Sequence, residues 1–216
     1  MEVPREAVER LSRYRAVLLR LKALGFVKVF SDNLADALGV SASQVRKDFA
    51  AFGMRGVKRG GYQVADLLDR LSELLGVTDS LRVVVIGCGN IGTALLHTYG
   101  GKREGVCVVA GFDINPQVIS PKAEVPICDM HDLVPYIDKH RIHVAILAVP
   151  EEAASGVMEQ LRRSAVQGVL NFTRAQLRGD SQCLVQNIDI RMEIEKLFCL
   201  IHLMRPAKEQ QKNSKQ

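Results

Sequence analysis

A glycine-rich run follows a strongly apolar segment near the middle of this 216-residue chain. Residues 83–86 are three valines and an isoleucine, which predicts a strand buried on both faces. The next six residues have the G-x-G-x-x-G spacing and are Gly87, Cys88, Gly89, Asn90, Ile91 and Gly92. Such glycines allow a tight turn, a close approach of backbone to phosphate and close packing of the following helix. Because the first N–H groups of a helix lack internal partners, the run predicts a pyrophosphate-binding site.

An acidic residue extends this pattern. Asp113 ends a second apolar run, residues 106–112, and lies 21 residues beyond Gly92. A carboxylate at the end of the second strand accepts hydrogen bonds from an adenosine ribose and repels a 2′-phosphate. Residues 114–117 contain no arginine, so NADH and NAD+ are favoured over their phosphorylated forms. The alternative is an ordinary glycine-rich turn and an unrelated aspartate at a strand end.

Two further apolar runs, 144–149 and 168–172, predict additional parallel strands. Ligands of open parallel sheets lie at the carboxyl ends of the strands. The residues predicted to line the cofactor pocket at these ends are Ile114, Val149, Pro150, Asn171 and Phe172. The last four would lie near the nicotinamide half, although each could equally belong to ordinary loop or core.

The cysteines and histidines number five each and show no C-x-x-C or H-E-x-x-H spacing, so no metal site is predicted. Reduced thiols are the simplest interpretation of widely spaced cysteines. Cys88 lies inside the glycine run, where a helix N-terminus could lower the pKa of a thiol. We favour an ordinary small loop residue there over direct thiol sensing.

The first eighty residues contain helical patterns that together have helix-turn-helix spacing. Apolar residues recur at helical spacing over 5–24, and residues 31–33 offer N-caps to a second helix that ends before Gly39. A third helix over 44–52 follows a tight turn and can be capped by Ser41 or Ser43. A helix-turn-helix places its second helix in the major groove of DNA.

The third helix carries the side chains that could read DNA. Its apolar residues form one buried stripe, which leaves Gln44, Arg46 and Lys47 facing outward, with Ser43 at the helix start. Arg46 can bind guanine O6 and N7 together, Lys47 can reach a guanine or a phosphate, and Gln44 suits adenine. The alternative is a set of simply solvated charges, and the helix-turn-helix pattern favours nucleic acid.

A glycine-rich segment over residues 53–62 resembles the wing of a winged helix. Four glycines are interleaved there with three basic residues, which are Arg55, Lys58 and Arg59. A flexible basic hairpin can follow the sugar-phosphate backbone and insert an arginine into the minor groove. The alternative is a glycine-rich linker with incidental charge.

Composition predicts a two-domain α/β protein. The chain is 47% hydrophobic and 25% charged, as is usual for a globular protein. It has no apolar run of the ~20 residues that span a membrane, and it begins without a signal-peptide pattern. We therefore expect a cytoplasmic protein. We predict a winged-helix domain over 1–80, a Rossmann-type doubly wound parallel sheet over 81–190, a C-terminal helix over 191–204 and a disordered tail over 205–216. Residues 1–80 and the tail each have a net charge of +3, which suits a polyanionic partner.

The order of these motifs resembles the Rex family of redox-sensing transcriptional repressors, over about residues 4–203. The resemblance rests on the glycine run, on the region from Ala37–Ser41 through Gln44–Asp48, and on Asn187–Asp189 before the last helix. It implies a homodimer that exchanges this helix and binds double-stranded DNA at an inverted repeat. It also implies release from DNA by NADH but not by NAD+, and it assigns Tyr99 and Asp189 to the switch or the dimer.

Several positions depart from the family pattern. Ala16 stands where relatives have an arginine of the proposed switch, Thr98 aligns with an expected tyrosine, and Ile190 replaces an aromatic residue. The basic pair of the wing is also moved by one position. We therefore expect a divergent member whose discrimination between NADH and NAD+ is altered or weak.

Two other functions are compatible with a nucleotide-binding domain. One is a small NAD-dependent oxidoreductase, but fewer than about 50 residues remain for a substrate domain and no His–carboxylate pair is placed for proton transfer. We therefore predict no catalytic residues. The other is a winged-helix regulator that responds to a different adenine nucleotide, because Asp113 does not identify what lies beyond the pyrophosphate.

Overall fold

The computed structural model describes residues 5–57, 60–77, 81–101 and 105–204, and the chain divides into two compact units, Met1–Ser80 and Leu81–Gln216. The predicted wing residues Lys58 and Arg59 and the predicted tail lie outside the described residues. None of the helices in these ranges is both long and apolar enough to cross a membrane.

The first unit contains the predicted helix-turn-helix. Its elements are α1 (Arg5–Ala23), β1 (Lys28–Val29), α2 (Ser31–Leu38), α3 (Ala42–Ala51), β2 (Tyr62–Gln63) and α4 (Val64–Leu74). Gly39 ends α2 in the left-handed conformation (φ 65°), and Ser41 begins α3 by accepting a hydrogen bond from the N–H of Gln44 at 3.1 Å. The short strands β1 and β2 pair in antiparallel orientation.

The start of α2 differs from the sequence prediction. Phe30 is the N-cap residue, and residues 31–33 form the first turn rather than preceding it. The Asn33 side chain still satisfies a terminal donor, because its Oδ1 accepts from the N–H of Phe30 at 3.1 Å. The prediction that one of residues 31–33 is the N-cap was therefore wrong.

The core of the first unit joins α1, α3 and β2 through aromatic rings. Tyr14 and Phe49 are fully buried, with ring centroids 5.2 Å apart in an edge-to-face contact. Phe49 makes a second such contact with Tyr62 at 5.1 Å. Because the opposite side of α3 is exposed, this packing fixes which residues of the helix can meet a partner.

The second unit is a doubly wound parallel sheet, as predicted. In its described part six strands lie in the order β5-β4-β3-β6-β7-β8, and all pairs are parallel. Chain order reverses between β3 and β6, so their carboxyl ends flank the usual ligand crevice. The elements are β3 (Leu81–Ile86), α5 (Asn90–Tyr99), β4 (Val106–Asp113), β5 (Ile127–Asp129), α6 (Leu133–His140), β6 (Val144–Leu147), α7 (Glu151–Arg162), β7 (Gly168–Asn171), β8 (Leu184–Asn187) and α8 (Ile190–Met204).

The strand β3 is buried on both faces. Val84 and Ile86 belong to one apolar cluster and Val83 and Val85 to another, one on each side of the sheet. The strands β5 and β8 were not predicted, because they are short, lie in the outer part of the sheet and have no continuous apolar run.

The C-terminal helix α8 is exposed along its whole length. Asp189 caps it, because its Oδ1 accepts from the N–H groups of Arg191 at 2.9 Å and Met192 at 3.2 Å. Its large apolar side chains include Leu197 and Phe198, whose exposed fractions are 58% and 70%. An apolar helix of this kind requires a partner surface.

Candidate nucleotide and DNA sites

The glycine run forms a turn between β3 and α5. Gly87 has a φ of +89°, and a Cβ there would lie 2.5 Å from the carbonyl oxygen of Ala148. A Cβ on Gly92 would collide with the carbonyl of Gly87, so this glycine lets α5 start against the turn. By contrast, a Cβ on Gly89 would meet nothing within 4 Å. The open side at Gly89 leaves room for a ligand to approach the backbone.

The start of α5 faces this open side. Gly89 is the N-cap residue, and Asn90 and Ile91 form the first turn with exposed side chains. First-turn N–H groups have no acceptor within their own helix, and the helix dipole adds partial positive charge. The turn therefore has the donors and the field that bind a pyrophosphate.

Asp113 is held beside the turn by hydrogen bonds. Its Oδ2 accepts from the N–H of Cys88 at 2.7 Å, and its Oδ1 accepts from the N–H of Asn115 at 2.8 Å. Each carboxylate oxygen can accept more than one hydrogen bond, so both retain capacity for a ribose hydroxyl. The fold thus positions the carboxylate and leaves part of its hydrogen-bond acceptor capacity free.

Several of the predicted cofactor residues line one small pocket next to Asp113. Val149 and Pro150 follow β6, and Ile114 follows Asp113 with an exposed fraction of 80%. The lining is mainly apolar and consists of Gly87, Phe112, Asp113, Ile114, Met130, Val149, Pro150, Ala153 and Val157. An apolar slot beside a ribose acceptor suits an adenine ring rather than the nicotinamide half expected for Val149 and Pro150.

Asn171 does not line this pocket with a free side chain, which corrects the prediction. It is fully buried, and its Nδ2 donates to the Ala175 carbonyl at 2.7 Å and to Asn187 Oδ1 at 2.8 Å. Its Oδ1 accepts from the N–H and the hydroxyl of Thr173. Phe172 is half-buried and packs against the cluster that contains Val85 and Leu96, and its place in the cofactor pocket stays a prediction.

Cys88 is not placed as a reactive thiol. Its side chain is buried, and burial, followed by the charge of Asp113, raises its pKa to about 11. The net shift of this pKa is therefore upward, opposite to the lowering considered for a thiol in this loop. A protonated thiol is a poor nucleophile, which disfavours thiol sensing at this position.

The outward face of α3 carries exposed Ser43, Arg46 and Lys47, as predicted. Arg46 is tethered to the start of α2, because it donates to Ser31 Oγ at 2.9 Å and lies 3.9 Å from Asp32. These contacts are solvent-exposed, so they compete weakly with a guanine or a phosphate.

Gln44 is an exception on this face. It is half-buried, and its Nε2 donates to Asp48 Oδ1 at 2.8 Å. The prediction that its whole side chain faces outward was therefore wrong. Asp48 also accepts from Arg10 at 2.7 and 2.9 Å and from the Tyr14 hydroxyl at 2.9 Å. Burial alone would raise the pKa of Asp48, but the hydrogen bonds from Arg10, Tyr14 and Gln44 hold it below the ordinary value.

Sequence reasoning missed this cluster of Arg10, Tyr14, Gln44 and Asp48. The signal was present, because Asp48 lies three residues after Val45 and directly before Phe49, on the buried stripe of α3. A carboxylate on a buried stripe requires charged or hydrogen-bonding partners. Arg10 and Tyr14, one turn apart on α1, supply them.

The segment predicted as a wing adjoins the small sheet. The N–H of Val57 donates to the carbonyl of Gly61 at 3.0 Å. Gly61 has a φ of +68°, and a Cβ there would lie 2.6 Å from the Val29 carbonyl oxygen. Arg55, two residues before Val57, is exposed.

The positions that depart from the family pattern are accessible. Ala16 is exposed on α1, while the neighbouring Arg15 is half-buried and donates to Ser72 Oγ at 3.0 Å. Arg15 is therefore held on α4 and does not take the place of an arginine at position 16. Tyr99 lies at the end of α5 with 40% of its surface exposed.

Comparison with known families agrees with this architecture. Residues 2–50 match a family model described as "Putative DNA-binding protein N-terminus", and residues 78–175 match one described as "CoA binding domain". A helix-turn-helix unit followed by a Rossmann-type unit defines a class of transcriptional regulators whose DNA affinity responds to a nucleotide. Curated relatives identify the family within this class.

The redox-sensing transcriptional repressor Rex of Listeria welshimeri is 34% identical over 91% of this chain and 92% of its own length. Rex of Staphylococcus haemolyticus is 32% identical over 91% of this chain and 93% of its own. The chain belongs to the Rex family of redox-sensing transcriptional repressors.

Solved structures agree with this assignment. RSP, a Rex-family repressor, has a TM-score of 0.79 at 25% identity, with both chains fully covered. RSP in complex with β-NAD+ and operator DNA has a TM-score of 0.78 at 26% identity and covers 95% of this chain and all of its own. RSP in complex with β-NADH has a TM-score of 0.78 at 25% identity, again with both chains fully covered.

Proposed function

We propose that this chain represses transcription in the cytoplasm by binding an inverted-repeat DNA duplex as a homodimer, and that NADH favours its release. The observation that carries the proposal is the carboxylate of Asp113, held 2.7 Å from the N–H of Cys88 at the edge of a glycine turn with an open side. This nucleotide site belongs to the same chain as a helix-turn-helix.

In this proposal the nucleotide lies across the carboxyl ends of β3, β4 and β6. The turn over residues 87–92 and the start of α5 bind the pyrophosphate, and Asp113 accepts from the adenosine ribose. Ile114, Val149 and Pro150 contact the adenine ring. NADH and NAD+ differ only in the nicotinamide ring, so contacts to that ring must distinguish them.

DNA binding is assigned to the outward face of α3 and to the segment after it. Arg46 and Lys47 reach base edges or phosphates, Ser43 contacts the backbone at the helix start, and Arg55 adds a phosphate contact. Lys58 and Arg59 are retained in the proposal as minor-groove contacts. A site with several basic contacts requires affinity measurements at fixed salt.

The dimer is inferred from α8. This helix is apolar and exposed, and a second copy of the chain would cover its side chains. A two-fold axis then presents two α3 helices to half-sites about 10 bp apart, as an inverted repeat requires.

A ligand changes DNA affinity only if it binds one dimer geometry better than the other. If NADH binds the form released from DNA about 100-fold more tightly, it shifts the equilibrium by about 2.7 kcal/mol. By reciprocity, DNA must weaken NADH binding by the same factor. NAD+ shifts nothing if its affinity for the two forms is equal.

The test is fluorescence anisotropy of the full chain on an inverted-repeat duplex from its own upstream region, titrated with NADH and NAD+ at fixed salt. Release by NADH at concentrations where NAD+ has no effect is the expected result. Tight DNA binding that responds to neither would show that the ligand has changed or the switch is lost.

A second candidate ligand is a different adenine nucleotide, because residues 78–175 match a family model described as a CoA binding domain. Coenzyme A shares the adenine and pyrophosphate groups that the turn and the pocket would hold, whereas its ribose carries a 3′-phosphate that the charge of Asp113 would repel. Titrating it in the same assay separates the two: release by coenzyme A without release by NADH would assign the site to coenzyme A.

A further inference from the structure

The buried carboxylate of Asp48 determines which way the Gln44 amide can point. Its oxygens accept from four donors: Oδ2 from Arg10 Nε and the Tyr14 hydroxyl, and Oδ1 from Arg10 Nη2 and Gln44 Nε2. Asp48 is only 6% exposed, so water does not compete freely for these positions. Four donors on two oxygens account for the hydrogen-bonding capacity that a carboxylate ordinarily has.

Charge makes the orientation of Gln44 a chemical necessity. An ionised carboxylate accepts hydrogen bonds and donates none, so the amide can face it only with its NH2 group. A flipped amide would place its carbonyl oxygen against Asp48 Oδ1, with two acceptors in contact and no proton between them. The pair with Arg10 keeps Asp48 ionised.

The opposite branch of the planar amide therefore points away from Asp48. Gln44 is the third residue of α3, whose N-terminal residues are those that contact base edges in a helix-turn-helix. The side chain is half-buried, with its NH2 group on the buried carboxylate. One hydrogen of the NH2 group is bound to Asp48, so the carbonyl oxygen Oε1 is the acceptor that the amide has left for a partner.

We propose that Gln44, oriented by Asp48, reads a base amine in the major groove through its Oε1. Only adenine N6 and cytosine N4 offer a donor there, whereas guanine and thymine present acceptors. Gln44 therefore favours A or C over G or T at the position that it contacts in each half-site, on the strand that faces it. This inference rests on the proposed DNA binding by α3, and it makes Asp48 a positioning residue.

The first test measures competition by operator duplexes that each carry one symmetric base change in both half-sites. We expect one position at which the wild type prefers A or C over G or T by about 3- to 10-fold. Gln44→Met keeps the length of the side chain but removes the amide, and it should lower this preference to less than about twofold. Lys47→Met is the matched control and should weaken binding while retaining the preference.

The second test removes the amine alone. At the position identified, adenine is replaced by purine without the 6-amine, or cytosine by the pyrimidine without the 4-amine. The wild type should lose affinity for the operator by the same factor as for a base change. The affinity of Gln44→Met should not change. An equal loss in both proteins, or a preference for G or T at that position, would overturn the inference.

The third test addresses Asp48. Asp48→Asn can both donate and accept, so the Gln44 amide becomes free to flip, and the preference should relax while the operator is still bound. An unchanged preference would remove Asp48 from the mechanism. If this variant fails to unfold cooperatively on heating, the Gln44→Met comparison still decides the inference. Absence of operator binding by the wild type would instead refute the proposed function.

Discussion

Asp113 and Asn171 are both polar residues at the ends of buried strands, yet their environments assign them different roles. Asp113 receives two backbone N–H groups and retains acceptor capacity at an open crevice. Asn171 is completely buried, with its amide shared among Ala175, Thr173 and Asn187. At the scale of single residues, spare hydrogen-bonding capacity therefore separates the proposed ribose-binding residue from a structural one.

The role of Asp113 is tested by Asp113→Asn. Loss of the negative charge weakens the hydrogen bonds to the ribose, so we expect NADH affinity to fall by about tenfold or more. Repulsion of a 2′-phosphate also disappears, so the ratio of NADPH to NADH affinity should rise. Calorimetric titration measures both, with the exposed Asp132→Asn as control. Unchanged NADH affinity would argue against the assigned ribose contact.

The raised pKa of Cys88 predicts a pH effect on stability. The thiol ionises near pH 9 in the unfolded chain but near 11 in the folded one. Between these values the unfolded state has lost more protons, so the free energy of unfolding should fall as pH rises from about 9 to 11. Cys88→Ala should show a shallower fall in urea denaturation. Identical slopes for the two proteins would contradict the shifted pKa.

Ala16 allows the altered switch to be tested directly. Arg15 is bound to Ser72, so α1 has no arginine free at this point to replace the missing one. If that loss weakens the response to NADH, Ala16→Arg should increase the NADH-dependent release of operator DNA. Ala16→Lys provides a control for charge alone. No change with arginine would show that position 16 does not explain the divergence.

At the scale of elements, α3 is positioned by the cap at its N-terminus and by the contacts of its buried residues. Ser41 caps its first turn, Phe49 packs on Tyr14 and Tyr62, and Asp48 binds Arg10 on α1. Phe49 and Asp48 lie on the buried side of the helix, which leaves Arg46 and Lys47 exposed on the other. The residues that the proposal assigns to DNA are thus those left exposed when the opposite face of α3 is buried.

The cap at Ser41 gives a prediction for this element. Ser41→Ala removes the acceptor for the Gln44 N–H and should lower the free energy of unfolding by about 1 kcal/mol. Ser43→Ala, two residues later and exposed, is the matched control and should change it by less than about 0.5 kcal/mol. Equal effects in chemical denaturation would contradict the capping role.

At the scale of the whole molecule, the exposed apolar side chains of α8 support the proposed homodimer. Its apolar side chains are exposed throughout, whereas those of β3 are buried on both faces of the sheet. A single copy leaves this surface in water, which is unfavourable in proportion to the apolar area. The proposed homodimer removes it and supplies the symmetry that an inverted repeat needs.

This prediction is tested by Leu197→Asp, which places a charge in the apolar surface of α8. We expect the dimer to dissociate in sedimentation experiments and the affinity for a full inverted repeat to approach that for a half-site. Lys196→Asp introduces the same side chain at a neighbouring charged position and should leave the dimer intact. A Leu197→Asp protein that stays dimeric would place the interface elsewhere.

The sequence determined the elements that are encoded locally. The run 83–86 predicted a doubly buried strand, the glycine spacing predicted the turn at Gly87, and the turn at Gly39 predicted the helix-turn-helix. Such signals depend on neighbours within a few residues, so one chain segment carries them completely. Family resemblance over most of the chain then connected both units to a single regulator.

Only the tertiary structure decided how distant residues share their polar groups. Asp48 and Arg10 are 38 residues apart, and Asn171 and Asn187 are 16 apart, so no local pattern shows that they bind each other. The same holds for the edge strands β5 and β8, which form by pairing with strands already in place. Hydrogen bonds between remote segments exist only after folding has brought donors and acceptors together, and they determine which polar side chains remain free to bind.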